Sequence, residues 1–410
     1  MIPTIHLPAW PARTRHSLYA VAGYPDLAGL SRAIRPGNWA WQWHHSHMHI
    51  TFARIVCIYA LLAAVAPLAP AQVAPPALLE ELAAPTLSAQ LESPTLSAQL
   101  ESPILSAQLK LTPESELVFA SRETGIAIMT IRDDYVSRMS RFDRMLRLKS
   151  TQPVTEHAYL DFVAANVLEW TDADKTRLKP LVQKLQAAVQ PFRLPLPSTV
   201  LIIKTTGKEE VGQAHTRANA IVLPERSLRE SDETLLFLLS HELFHVMSRH
   251  DTRFRQNAYA LIGFRIGNEI SLPDLIAPLQ ITNPDASRHD SFIDVRLDGR
   301  KITVVPVLLS RSAVFDPQIG DDLDHFWTLR LLVVKQVSPD DDLRAVERHG
   351  APRLLKLSQV EDYLEQVGRN TRYVIHPEEI LAENFALLIT GKEVREPLRL
   401  DALRQLLEPR

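Results

Sequence analysis

The stretch that most constrains this chain is Ser240-His241-Glu242-Leu243-Phe244-His245-Val246-Met247, an HExxH pattern inside an apolar run. Residues four apart share one face of an α-helix, so His241 and His245 can both reach a single zinc ion. Glu242 stands one step round the helix, placed to act on a zinc-activated water rather than on the ion. Leu238, Leu239, Leu243, Phe244, Val246 and Met247 carry no charge, so this helix has to be buried on several sides. The competing reading is a core helix whose two histidines only satisfy local hydrogen bonds.

Thirteen glycines against 29 prolines in 410 residues, with long Leu/Ala/Arg/Glu segments, predict an α+β chain that is mostly helical with little sheet. A net charge of -3 supplies no positive field for a nucleic-acid partner. The single cysteine, Cys57, lies in an apolar run. Arg54, the run Ile55 to Ala66, and Ala69-Pro70-Ala71 read as the basic, apolar and cleavage regions of an export signal ending before Gln72. At about 14 residues the run is too short for a comfortable membrane span, so no stable span is expected once the signal is cut. The mature chain would then lack cysteine, and neither disulfides nor thiol catalysis would be available. Met48 makes a conventional start for a signal over 48–71, with 1–47 an upstream extension not normally made. If Met1 is the start, the segment becomes a signal anchor. Either way the remainder is expected to be periplasmic or secreted. The cluster His44-His45-Ser46-His47 with His49 stands ahead of the signal and is read as incidental rather than as a metal tract.

Residues 72–113 form a linker with a nine-residue repeat. Pro85-Thr86-Leu87-Ser88-Ala89-Gln90-Leu91-Glu92-Ser93 recurs from Pro94 and, less closely, from Pro103. Each copy is too short to bury a core, and its proline stops a continuous helix, so a spacer is expected. The folded body is expected to begin near Glu114, with a helical part over 114–198 and a catalytic region over 199–410. Helical periodicity runs over 128–148, 154–169 and 171–190. Strands are expected at 199–204 and 217–223, a metal helix at about 229–250, and a short sheet at 291–307 ahead of Pro306.

Two histidines need a third protein ligand to make a catalytic zinc site. One candidate is Asp251, at the last position of Ser248-Arg249-His250-Asp251; the other lies in Tyr373-Val374-Ile375-His376-Pro377-Glu378-Glu379-Ile380-Leu381-Ala382-Glu383-Asn384-Phe385-Ala386. Pro377 suits a first helical turn, and Glu379 and Glu383 share a face. Acidic residues in a first turn also simply complement the helix dipole, which accounts for Glu378 and Glu379 equally well.

The order strand, strand, HExxH helix resembles the zinc metallopeptidase (zincin) fold, over 199–250 and 371–390. The metzincin continuation HExxHxxGxxH is broken here, because Ser248 holds the glycine position and His250 is out of register. The later helix resembles the gluzincin arrangement. That resemblance implies Glu379 as the third zinc ligand, with Glu378 and Asp251 as alternatives, and Glu383 hydrogen-bonding one of the metal histidines. It further implies a small mixed sheet packed on the HExxH helix, a helical C-terminal subdomain, and an insertion over 252–370 that closes the cleft as a helical subdomain. The activity implied is hydrolysis of peptide or protein substrates by a zinc-activated water with Glu242 as general base, more readily as an endopeptidase. Tyr373 and His376 are the first candidates to stabilise the oxyanion, with His289 and His325 behind them. Asn283-Pro284-Asp285 and Asp316-Pro317 are loops that shape the cleft, or plain turns. The rival readings are a non-catalytic zinc-braced periplasmic scaffold or binding protein, and a helical envelope-interaction protein with a chance motif.

Overall fold

A computed structural model describes residues 108–320, 323–336 and 342–409. The upstream extension, the export signal with Cys57, the histidine cluster and most of the repeat linker lie outside the described residues. In chain order the elements are β1 (Gln108–Lys110), β2 (Glu116–Phe119), α1 (Arg122–Met129), α2 (Asp134–Arg138), α3 (Arg141–Arg147), α4 (Glu156–Asn166), β3 (Val167–Leu168), α5 (Asp172–Val189), β4 (Thr199–Thr205), β5 (His215–Arg217), β6 (Ala220–Pro224), α6 (Asp232–His250) and α7 (Thr252–Ala260). There follow β7 (Phe264–Ile266), β8 (Ser291–Leu297), β9 (Arg300–Ser310), β10 (Trp327–Lys335), β11 (Arg344–Ala345), β12 (Glu347–Arg348), β13 (Ala351–Pro352), β14 (Leu354–Leu355), α8 (Tyr363–Val367), α9 (Pro377–Thr390) and α10 (Pro397–Leu407). The last repeat copy thus runs into β1, and the ordered body begins before Glu114; Leu111 is anchored in the core.

The first sheet has the order β1-β2-β4-β6-β5, with β3 on the far end of β4. Its centre, β2-β4-β6, is parallel, and β5 returns antiparallel as an edge. Strand β4 reads Thr-Val-Leu-Ile-Ile-Lys-Thr without polar alternation because helices cover both faces. Val200 and Ile202 join the core built with α5, α6 and α9, while Ile203 joins the one built with α3 and α4. Lys204 reaches Asp174 at 2.6 Å.

The second sheet corrects the expectation of little sheet and of a helical subdomain over 252–370. It is an antiparallel meander, β11-β10-β9-β8-β7, with β14 also on β10. Runs such as Leu331-Leu332-Val333-Val334 have no polar period because alternate residues enter different cores. Periodicity cannot separate such a run from a buried helix. Strand β9 also passes through Pro306, where the sequence placed a strand end. Its pairing with β8 stops at Val304, so the missing N–H of Pro306 costs no bond on that side. The C-terminal helices do not form a separate subdomain, since Leu400, Leu403 and Leu407 of α10 share the core of α6 and α9. Among the described residues no helix is long and apolar enough to cross a membrane.

Helix α6 begins where Ser231 accepts the N–H of Thr234, with Asp232 and Glu233 in the first turn. Helix α9 begins at His376 and Pro377 and stops at Gly391, which takes the left-handed conformation at φ 65°. The two helices pack directly: Ala382 and Ala386 are wholly buried, and the rings of Phe244 and Phe385 lie 6.0 Å apart.

Candidate metal centre

Helix α6 presents His241, Glu242 and His245, and α9 presents Glu378, Glu379 and Glu383; all but Glu383 are almost completely buried. Glu379 Oε2 lies 3.2 Å from His241 Nε2 and 3.8 Å from His245 Nε2. Donors about 2.1 Å from one tetrahedral ion stand about 3.4 Å from each other, so these separations bracket what zinc requires. The remaining ring nitrogens are held from the same helix. His245 Nδ1 is 3.0 Å from Glu378 Oε1, and His241 Nδ1 is 3.6 Å from Glu383 Oε1. The bond from Glu378 favours the His245 tautomer whose Nε2 lone pair is free for a metal, and Glu383 stands on the corresponding side of His241.

Two buried polar atoms in this cluster, His245 Nε2 and Glu242 Oε2, have no hydrogen-bond partner. Buried polar atoms are almost always satisfied, so an imidazole nitrogen and a carboxylate oxygen left without partners side by side fit the donor set of a cation and a water it would hold.

The electrostatics agree. Burial would raise Glu378 and Glu379, but the neighbouring imidazoles hold both carboxyls below their ordinary value. Burial would likewise lower His245, yet Asp285, Glu379 and Glu378 push it up to about 10, and His241 is raised by Glu379. Glu242 is pushed up to about 8, first by burial and then by the charge of Asp285. Burial raises Glu383 despite His241. Carboxylates outnumber imidazoles here, and the site draws in protons that a divalent cation would replace.

Glu378 was read as a dipole residue or alternative ligand. Its place is behind His245, where it also receives the Ser248 hydroxyl and the Tyr259 hydroxyl, the latter at 2.6 Å. Neither Ser248 nor Tyr259 could be tied to the site by spacing, since Glu378 lies 133 residues beyond His245. Asp251 is not brought to the cluster. It ends α6 and caps α7, accepting the N–H of Phe254 at 2.9 Å. His376 spends its Nδ1 on capping α9, at 3.2 Å from the N–H of Glu378, and burial lowers it to about 4. Tyr373 is half-buried just ahead of that cap. His289 is lowered to about 4 by burial and faces Glu269 and Arg138, and His325 is exposed in the turn 323–325.

The loop Asn283-Pro284-Asp285 does belong to the site. Asn283 Nδ2 donates to Glu379 Oε1 at 2.5 Å, and Asp285 lies with His245 and Glu242 in a second group whose candidate ligand atoms are all within 4.8 Å of one another. Comparisons with family models, with curated proteins and with solved structures return no match for this chain.

Proposed function

We propose that this chain is an exported zinc-dependent metallopeptidase of gluzincin type, with His241, His245 and Glu379 as metal ligands. The observation that carries the reading is the pair of imidazoles whose Nε2 atoms face Glu379, with Nδ1 of His245 bonded to Glu378 and Nδ1 of His241 turned toward Glu383 at 3.6 Å. Zinc, when bound, supplies a Lewis acid that makes water acidic near neutral pH and polarises a carbonyl. Glu242, with its unpartnered oxygen beside the cluster, takes the proton of the attacking water and passes it to the leaving amine. Glu378 and Glu383 keep the imidazoles oriented through that transfer. His376 caps α9, which leaves Tyr373 as the oxyanion donor to test. Strand β5 is an edge of the first sheet tied to the cluster through Thr216 and Asp285, and an extended peptide is the ligand whose backbone such an edge accepts. The export signal read over 48–71 puts this activity outside the cytoplasm.

A non-catalytic zinc-braced scaffold would have no use for Glu242. The test is therefore zinc content and peptide hydrolysis of the purified protein with and without a chelator, alongside Glu242→Gln. We expect one zinc per chain in both proteins, hydrolysis abolished by the chelator, and a loss of about 10³-fold or more in kcat/KM for Glu242→Gln. Full activity in that variant, or a wild-type protein without zinc, ends the reading.

A further inference from the structure

Helix α6 carries a third functional group along the stripe that holds its two histidines. Arg249 follows His245 at the same four-residue spacing that separates His241 from His245, so each lies over the turn of the one before. One helical turn, about 6 Å, parts Arg249 from His245, close to the length of two residues of extended peptide. Arg249 is also fixed to the sheet edge that such a peptide would extend. Its Nη1 donates to the Thr216 hydroxyl at 2.6 Å and to the Ala218 carbonyl at 3.2 Å, within and just beyond β5.

No carboxylate sits close on this guanidinium. Its third hydrogen bond goes to another neutral oxygen, the Pro284 carbonyl at 3.3 Å, and its Nε meets no acceptor among the described residues. Asp285 stands off at 3.7 Å and is committed to Thr216, accepting its N–H at 2.8 Å and its hydroxyl at 2.5 Å. The neighbouring cations are paired: Arg217 with Asp133 at 2.9 Å, Arg255 with Asp290 at 2.9 Å, and Arg288 with Asp134 at 2.6 Å. A cavity of about 320 Å³ is lined by Arg249, Arg217 and Thr216, and by Ser248 and Glu378, which bring its wall to His245. The Arg249 side chain keeps 32% of its surface exposed, and in the same wall Arg217 Nη1 is buried without a hydrogen-bond partner. A planar guanidinium with donors to spare, set in a cavity, matches a carboxylate, which takes two parallel N–H bonds.

We propose that this cavity is the subsite for a substrate carboxylate and that Arg249 is the residue that selects it. The carboxylate belongs to an acidic side chain beside the scissile bond or to the C-terminus of the peptide. Arg249 acts by binding and placing the substrate and takes no part in proton transfer. The inference rests on the metallopeptidase reading above and names the substrate class of that same site.

The experiment titrates zinc-loaded wild type, Arg249→Gln and Arg249→Lys by calorimetry with succinic monohydroxamate and with butyrohydroxamate, which differ by a carboxylate against a methyl. We expect wild type to bind the charged probe about tenfold tighter, the gap to close in Arg249→Gln, and part of it to persist in Arg249→Lys. The lysine variant guards against a glutamine that merely loosens β5. Two peptide pairs then assign the carboxylate: Glu against Gln beside the scissile bond, and a free against an amidated C-terminus. The pair whose kcat/KM ratio depends on Arg249 names the source. No preference for the charged probe in wild type, or a preference that survives in Arg249→Gln, overturns the proposal with the metal centre intact. Equal weakening of both probes in Arg249→Gln also overturns it, leaving Arg249 as a brace for β5. A wild-type protein that takes up no zinc removes the metallopeptidase reading itself, and this inference with it.

Discussion

Two buried charged regions of this molecule are built to opposite rules. In the α6–α9 pair, carboxylates crowd two imidazoles, and His245 Nε2 and Glu242 Oε2 are left without partners. Around Arg147, by contrast, the charged groups satisfy one another. Arg147 Nε meets Glu210 at 2.9 Å, its Nη1 meets Asp143 at 3.0 Å, and the Tyr135 hydroxyl completes Glu210. Asp143 in turn accepts the N–H of Ser140 and caps α3. A network that closes on its own partners braces a fold, whereas one that leaves atoms open at fixed distances has room for something from outside.

The comparison can be broken most directly at Arg147. Arg147→Met strands Asp143 and Glu210 without their cation, and denaturant unfolding should show a loss of about 3–5 kcal/mol. A loss under a third of that would mean the network is not the brace described. On the open side, Glu378→Gln should weaken zinc binding by about 10–100-fold in a chelator competition. Glu383→Gln should weaken it less, because its contact is 3.6 Å rather than 3.0 Å and its side chain is partly exposed. Equal effects, or the reverse order, would reassign the two supports.

Glu209, next to the braced network, is an exception to it, with both carboxylate oxygens buried and without a hydrogen-bond partner. Burial pushes its carboxyl up to about 7 from the ordinary 4.5. A carboxyl raised on folding contributes stability that is complete below its unfolded value and is lost as pH rises through the folded one. Glu209→Gln should therefore stabilise the protein by on the order of 2 kcal/mol at pH 8, with the gain vanishing near pH 4. A gain independent of pH would rule out titration as its cause. The smallest effect is expected at Asp251, where Asp251→Ala removes a helix cap worth about 1 kcal/mol and leaves zinc affinity unchanged. A drop in zinc affinity there would restore Asp251 to the ligand set.

What could be read from the sequence was whatever is encoded within one helix. His241 and His245, and Glu379 and Glu383, are each four apart, and local geometry alone puts each pair on a face. The role of Glu378 was hidden because it depends on which way α9 is turned against α6, a matter of packing between distant segments. Asn283 and Asp285 signalled a cleft-shaping loop or a plain turn, since nothing in Asn-Pro-Asp says that two anchors draw it against Glu379 and His245. The second sheet was missed for a related reason. Its strands are buried on both faces, so they lack the alternation that distinguishes strand from helix, and their pairing is set over long range. Strand β4, equally apolar, was legible because it is short and rich in β-branched residues.

Asp251, shared between the end of α6 and the start of α7, also fixes an angular phase. The chain passes from His245 to Tyr259 through two helices joined by the single extended residue Asp251, and both side chains converge on Glu378. Adding or removing a single residue after the shared cap would swing Tyr259 about 100° round α7 and carry its hydroxyl away from the carboxylate. The register of this junction is thus as much a part of the candidate metal centre as the side chains that line it, and length here tolerates less change than composition does.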